Sequence, residues 1–475
     1  MSITDFLTMR HEVLLTILAI LILIIDLNLK KEQKHYIIPI VLCLFMVHVI
    51  IGFLPAEGGV LFGGMYKTSA LTMMMKNILN VGVMIILFQS NGWLRKPDNQ
   101  EKMSEYFILL FSTLIGMYFM ISSGDFLMFY LGLELATIPM AALAAYTHHQ
   151  SRSAEAGIKL ILSSALSSGI LLFGLSLIYG TTGSIYFDKI GEVFTNSPLQ
   201  ILAFIFFFTG MAFKISLVPF HLWTADVYEG SPVNVTSYFS VISKGAASFI
   251  FVIILFTVFH SISYLWKDIV YLIAVSTMTV GNLFAMRQKN MKRFLAFSSI
   301  AQAGFILLGI LGGNVLGMTS VIYFVLVYIF SNLGAFGVVA AISAATGKES
   351  MDDYDGLYAT NPKLSLLMTL SMFSLAGIPP VAGFFGKFFL FTAAASGGYY
   401  WLVFIAVLNA TVSLYYYLLV VKAMFINKNE TPLAHFKSDF LTRVGLVSCM
   451  LGIFVLGFWS QIYEIINSLS IGITF

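Results

Sequence analysis

Charge is what this sequence has least of. Only 10% of its 475 residues are Asp, Glu, Lys or Arg, against 59% apolar. A water-soluble body of that size needs more polar surface to cover its outside, so the composition excludes one, whereas lipid removes the requirement. Cysteine is nearly missing as well. Cys43 and Cys449 stand apart in apolar runs, which excludes a disulfide framework and a thiolate metal cluster. No Walker or dinucleotide glycine pattern occurs, and no basic arm or basic–aromatic patch. With a net charge of only +3, a nucleic-acid partner is not expected. The N-terminus lacks a short apolar stretch followed by a small-residue cleavage site, so the first hydrophobic segment reads as an uncleaved anchor.

What the chain has is hydrophobic length. A helix crosses a bilayer with roughly 20 apolar residues, and that rule places fourteen spans at about 11–29, 36–54, 70–90, 106–123, 125–146, 155–180, 198–221, 233–260, 264–285, 294–312, 316–345, 364–395, 398–422 and 441–467. The runs are continuous, without the alternation of a barrel strand, so the expected fold is an all-α polytopic membrane protein in one membrane domain. Of the 26 Lys and Arg, seventeen fall in the loops after odd spans. The positive-inside bias therefore puts those loops in the cytoplasm and both termini outside.

Against this background a few charges lie inside spans, where each costs about 2.5–3.5 kcal/mol on insertion scales and so calls for a function. Glu134 sits deep in FLMFYLGLELATIPMAAL, with Pro139 expected to distort the helix and free carbonyls. Lys214 lies deep in the seventh span, five residues before Pro219. Lys244 is mid-span in VTSYFSVISKGAASFIFVII, where Gly245 and Ala246 leave room for a neighbour. Lys387 follows a stretch broken by Gly377, Pro379, Pro380, Gly383 and Gly386. A lysine whose charge depends on a nearby carboxylate is a proton carrier with an electrostatic gate, and Glu134 is the candidate gate for Lys214. Lys159 follows Glu155 by four residues near the start of the sixth span, as an ordinary helix-end pair or a proton-uptake residue. His221, two turns beyond Lys214, adds a group able to titrate near neutral pH. Lys76, near the outer end of the third span, reads as a snorkelling anchor.

The broken helices are the seventh and twelfth spans, five apart. Five is odd, so two five-helix units would be inverted in the membrane, with broken helices in matching places, which is the sequence pointer to a transporter's ion path. The division is 1–105 for three N-terminal helices, 106–262 and 263–424 for the repeats, and 425–475 for the last helix. Glu134 then corresponds to a region near Gln302, and Lys244 to one near Asn409.

AFKISLVPFHLWTADVYEGSPVNV (212–235), GNLFAMRQKNMKRFLAFSSIAQAGFILLG (281–309) and SLAGIPPVAGFFGKFFLF (374–391) resemble the antiporter-like membrane subunits of proton-pumping NADH:quinone oxidoreductase, respiratory complex I, the N type in particular. YLGLELATIPMAALAAY (130–146) and SAEAGIKLILSSALSSGILLFG (153–174) fit as well. The resemblance implies fourteen helices, inverted repeats and a polar axis through the middle of the membrane. It implies proton-relay roles for Glu134, Lys214, Lys244 and Lys387, and secondary ones for Glu155, Lys159 and His221. It also implies a bacterial inner-membrane location, with an M-type neighbour and small membrane subunits as partners. NADH, FMN, iron–sulfur clusters and quinone would belong to other subunits, leaving this chain without a cofactor or metal.

Three positions depart from the family's habit. Gln302 stands for a usual His, Phe297 for a common Tyr, and Ala225 for a proline. The first two put in doubt a proton route through the tenth span that needs a histidine. Lys387 argues against the M type, which typically has glutamate there. The L type carries a long C-terminal extension, whereas this chain ends soon after its fourteenth span. Subunits of sodium/proton antiporters or hydrogenase-type complexes, and a non-conducting structural subunit, are the alternatives.

Overall fold

The computed structural model describes residues 3–429 and 432–471. Among the described residues, thirteen helices are long and apolar enough to cross a membrane. The expected twelfth span is two shorter helices, Pro362–Ala376 and Ala382–Ser396, which completes the fourteen. The third, eighth, tenth and eleventh spans (Ala70–Leu94, Val233–Thr257, Met291–Gly312, Val315–Thr346) are enclosed by the others. The first, second, sixth, ninth, thirteenth and fourteenth turn most of their surface outward. Polar residues on the enclosed four are therefore shielded from lipid. Their starts and neighbours' starts are fixed by side-chain caps, such as Ser69 Oγ on Thr72 N–H, Asp125 on Met128 N–H and Asn314 on Gly317 N–H, each satisfying a donor that the first helical turn leaves free.

Both broken spans stop in the same way. Pro198–Ile215 ends at Ser216, which turns left-handed with φ 68°, and Pro362–Ala376 ends at Gly377 with φ 88°. The next amide closes back five residues, Leu217 N–H to Ala212 O at 2.8 Å and Ile378 N–H to Phe373 O at 3.0 Å. This is the Schellman ending, and prolines just beyond it bar the helix from resuming. After the first break the chain forms the short helix Leu222–Gly230, and after the second it resumes as Ala382–Ser396.

Gly383 lets the two halves of the twelfth span meet. A Cβ there would lie 1.7 Å from Ser374 O, so Gly383→Ala must push backbone apart. The expected cost is about 1–3 kcal/mol or more, read as a lower melting temperature in detergent. Gly169→Ala, whose Cβ would meet nothing within 4 Å, is expected to leave stability unharmed.

The eighth span is irregular where its lysine sits. Its turn Phe239–Ser243 is π-helical and delivers directly into Lys244, a widening found mostly at functional sites. Hydrophobic periodicity gave no sign of it.

Lys76 is not a snorkelling anchor. Its side chain is fully buried and its ammonium lies 2.5 Å from Glu12 Oε1 and 3.1 Å from the Tyr66 hydroxyl. The carboxylate comes from the first span, and Tyr66 from a two-stranded hairpin, Gly59–Leu61 with Tyr66–Thr68. A carboxylate at hand holds the charge inward.

Candidate proton axis

The three other deep lysines have different surroundings. Lys214, two residues before the first break, donates to Thr137 Oγ1 at 2.7 Å and touches Met140 Sδ at 4.0 Å. Thr137 stands one helical turn after Glu134 on the fifth span, so the ammonium engages the turn beyond the carboxylate. Among the described residues Lys214 forms no ion pair, and Glu134 Oε1 is buried without a hydrogen-bond partner.

Lys244 donates to Ser299 Oγ at 2.7 Å on the tenth span and lies 5.7 Å from the centre of the Tyr228 ring. Ring and hydroxyl give a cation modest support without neutralising it. His221 sits at the start of Leu222–Gly230, buried, with Nδ1 unpartnered and Lys244 within electrostatic reach.

Lys387 caps the second break. It donates to Leu375 O and Ala376 O, both at 2.9 Å, carbonyls that the ending helix leaves free, and it lies over the Phe305 ring at 4.7 Å. A cation there also meets the negative end of the helix dipole.

The tenth span joins the last two lysines. Beside Ser299, Ser298 Oγ is 2.6 Å from the Tyr417 hydroxyl, which accepts from Gln302 Nε2 at 3.2 Å. The same Gln302 amide donates to Leu375 O at 3.1 Å, the carbonyl that Lys387 holds. Gln302 thus occupies the middle of the line, and its buried Oε1 stays unpartnered. Thr137, Ser299 and Tyr417 carry no charge, so nothing in the sequence set them apart from helix-packing hydroxyls. Only the spatial neighbourhood of the lysines reveals them. At Asn409 the second half holds an uncharged cluster, with Asn282 Nδ2 bonded to Asn409 Oδ1 at 3.0 Å and Tyr416 to Asn282 Oδ1 at 2.8 Å.

Glu155 and Lys159 lie apart from this axis, at the face rich in Lys and Arg. Lys159 pairs with Glu155 at 2.6 Å and with Asp226 at 2.8 Å, and Asp226 also accepts from Arg293 at 2.7 Å. Burial pushes the Asp226 carboxyl up, but the hydrogen bonds from Lys159 and Arg293 prevail and hold it below its ordinary value. The short helix beyond the first break is thereby clipped to the sixth and tenth spans. Next to it opens a polar cleft of about 290 Å³ lined by Arg152, Glu229, Ser231, Asn234, Lys292 and Glu349. Asn234 lies on the span that carries Lys244. No group of three or more His, Cys, Asp and Glu suited to a metal occurs among the described residues.

Comparison with known proteins decides the family. Residues 123–413 match the family model described as NADH:quinone oxidoreductase/Mrp antiporter, TM. A curated relative from Phocaeicola vulgatus named NADH-quinone oxidoreductase subunit N is 51% identical, covering 99% of this chain and 100% of its own. The chain belongs to the NADH-quinone oxidoreductase subunit N family. It is a multi-pass, antiporter-like membrane subunit of the complex I type. A chain in respiratory complex I from Thermus thermophilus superposes with a TM-score of 0.79 at 26% identity, over 96% of this chain and 98% of that one. A chain in the Mrp complex of Dietzia sp. gives 0.82 at 19% identity, over 99% and 97%, a likeness of fold alone. Within the subunit N family, the full-length relationship removes the main reason for favouring an antiporter complex.

Proposed function

We propose that this subunit N family member moves protons across the membrane along Lys214, Lys244 and Lys387, with Glu134 biasing which of them is charged. The observation that carries the reading is the contrast among buried lysines. Lys76 sits on a carboxylate, whereas among the described residues Lys214, Lys244 and Lys387 hold uncharged hydroxyl, thioether and carbonyl groups. An ammonium with neutral partners can give up its proton without leaving an unpaired buried carboxylate behind. The matching ends of the seventh and twelfth spans support two inverted five-helix repeats, 106–262 and 263–424.

Uptake is from the cleft at Arg152, Glu229 and Lys292, beside the Glu155–Lys159–Asp226 cluster. The excess of Lys and Arg on that face favours its being cytoplasmic, with both termini outside the inner membrane. Quinone reduction and its redox centres lie on partner subunits, and the neighbours are an M-type subunit and small membrane subunits. Lys214→Met or Glu134→Gln, assembled in the complex and reconstituted in vesicles, is expected to lower proton transport relative to quinone reduction. Full coupled pumping with normal assembly refutes the relay.

A further inference from the structure

Lys76 and Glu12 belong to a larger polar cluster where the first and third spans begin and the second and fourth end, away from the three axis lysines. Glu12, His11 and His48 are each at most 3% exposed. His11 Nε2 lies 2.9 Å from Asn77 Oδ1, the residue after Lys76. His48 Nε2 is 3.2 Å from the Tyr118 hydroxyl and 3.3 Å from Asn80 Nδ2, while Tyr118 also donates to Asn80. The His11 ring stands 5.9 Å from that of Tyr118 and 6.1 Å from that of His48. A brace between helices needs only the ion pair. Here the Lys76 ammonium also lies 5.7 Å from the centre of the Tyr118 ring, on which both histidines pack, and among the described residues buried His48 Nδ1 has no hydrogen-bond partner.

The cluster points in two directions. Toward the surface, Tyr66 of the hairpin donates to Glu12 Oε2 at 3.1 Å, and Arg10 binds Gly52 O at 2.7 Å, at the end of the second span. Toward the interior, the fourth span carries Tyr118 and, five residues earlier, Thr113, whose Oγ1 is 2.6 Å from the Tyr238 hydroxyl, which also lies 3.9 Å from Sδ of Met117, the residue before Tyr118. Tyr238 immediately precedes the π-helical turn that leads into Lys244. Tyr238 thus sets the start of the helix of Lys244 against the fourth span next to Tyr118, whose hydroxyl meets Asn80 and His48.

We infer that the Glu12–Lys76–Tyr66 cluster, with His11 and His48, is a proton-release branch of the axis, receiving protons from the Lys244 end and discharging them at the N-terminal face. The inference rests on the proton reading above. A proton leaving the Lys244 ammonium arrives at His48 and then at the Glu12 carboxylate, where an O–H bond forms and breaks again as the proton departs, the Tyr66 hydroxyl at 3.1 Å holding the Lys76 ammonium meanwhile. Each group returns to its starting state, and one proton has entered for one released.

The test uses the whole complex in vesicles, with Lys214→Met as reference. Two variants are compared, the neutral double change Glu12→Gln/Lys76→Met and His48→Phe, which leaves the ion pair in place and retains an aromatic ring beside Phe45. Both are expected to assemble and to lose proton transport per quinone reduced to the level of Lys214→Met. Normal transport in both, with Lys214→Met uncoupled, overturns the branch and leaves the axis standing. Normal transport in Lys214→Met overturns the axis itself. If the double variant fails to assemble, His48→Phe decides, and failure of both to assemble marks a structural brace and counts against the branch.

Discussion

Lys244→Met is expected to abolish proton transport by this subunit while leaving the complex assembled. The side chain is 3% exposed, and its polar contacts are a single hydrogen bond to Ser299 and the face of Tyr228. Methionine nearly matches its length and fills much the same space, so the loss is confined to the proton and its charge. Its removal also lifts a desolvation cost from the eighth span, and stability is expected to hold or rise. On the proposed relay transport has no detour, because beyond Ser299 the line to Lys387 runs through Tyr417 and Gln302, neither of which carries charge. Ser299→Ala is the graded comparison. It removes one hydrogen bond to a charged group, worth roughly 1.5–3 kcal/mol, and is expected to slow transport without ending it. Proton uptake in vesicles measured beside quinone reduction separates the cases. Full transport by Lys244→Met removes the central member of the axis.

Much of this architecture was legible in the sequence because membrane spans and helix breaks are local. Hydrophobic runs count spans, and Pro219, Gly377, Pro379 and Pro380 announce interruptions through backbone chemistry that needs no tertiary context. The depth of Lys214, Lys244 and Lys387 follows from their place in those runs. Partners do not follow. Thr137 and Ser299 became visible only when spans far apart in sequence were brought together, and Lys214 engages Thr137 although Glu134 is the nearby charge that a sequence offers. The π-helical turn before Lys244 leaves hydropathy almost unchanged. Lys76 shows the same limit in reverse. Its position in the third span suggested a route to the interface, while the carboxylate that holds it inward lies in the first.

That carboxylate makes Lys76→Met a strongly destabilising substitution. Glu12 is 2% exposed, and its ion-pair partner is Lys76. Removing one member of a buried pair costs about 3–5 kcal/mol, because the other charge is left uncompensated. A loss of that size is a large fraction of the 5–15 kcal/mol that typically separates folded from unfolded domains. The complex is therefore expected to assemble poorly and to melt at lower temperature. Glu12→Leu with Lys76→Met removes both charges and supplies side chains of similar bulk, a replacement that is commonly neutral or stabilising, and is expected to restore melting to the level of the unmodified protein. The same opposition separates Lys76 from the axis. Lys214→Met strips an ammonium that has no carboxylate partner, so it should leave melting unchanged or raise it while transport falls. Melting curves of the three variants, taken with their assembly yields, test the distinction between a lysine held for structure and one free to exchange its proton. A Lys76→Met protein as stable as the unmodified one would remove that distinction.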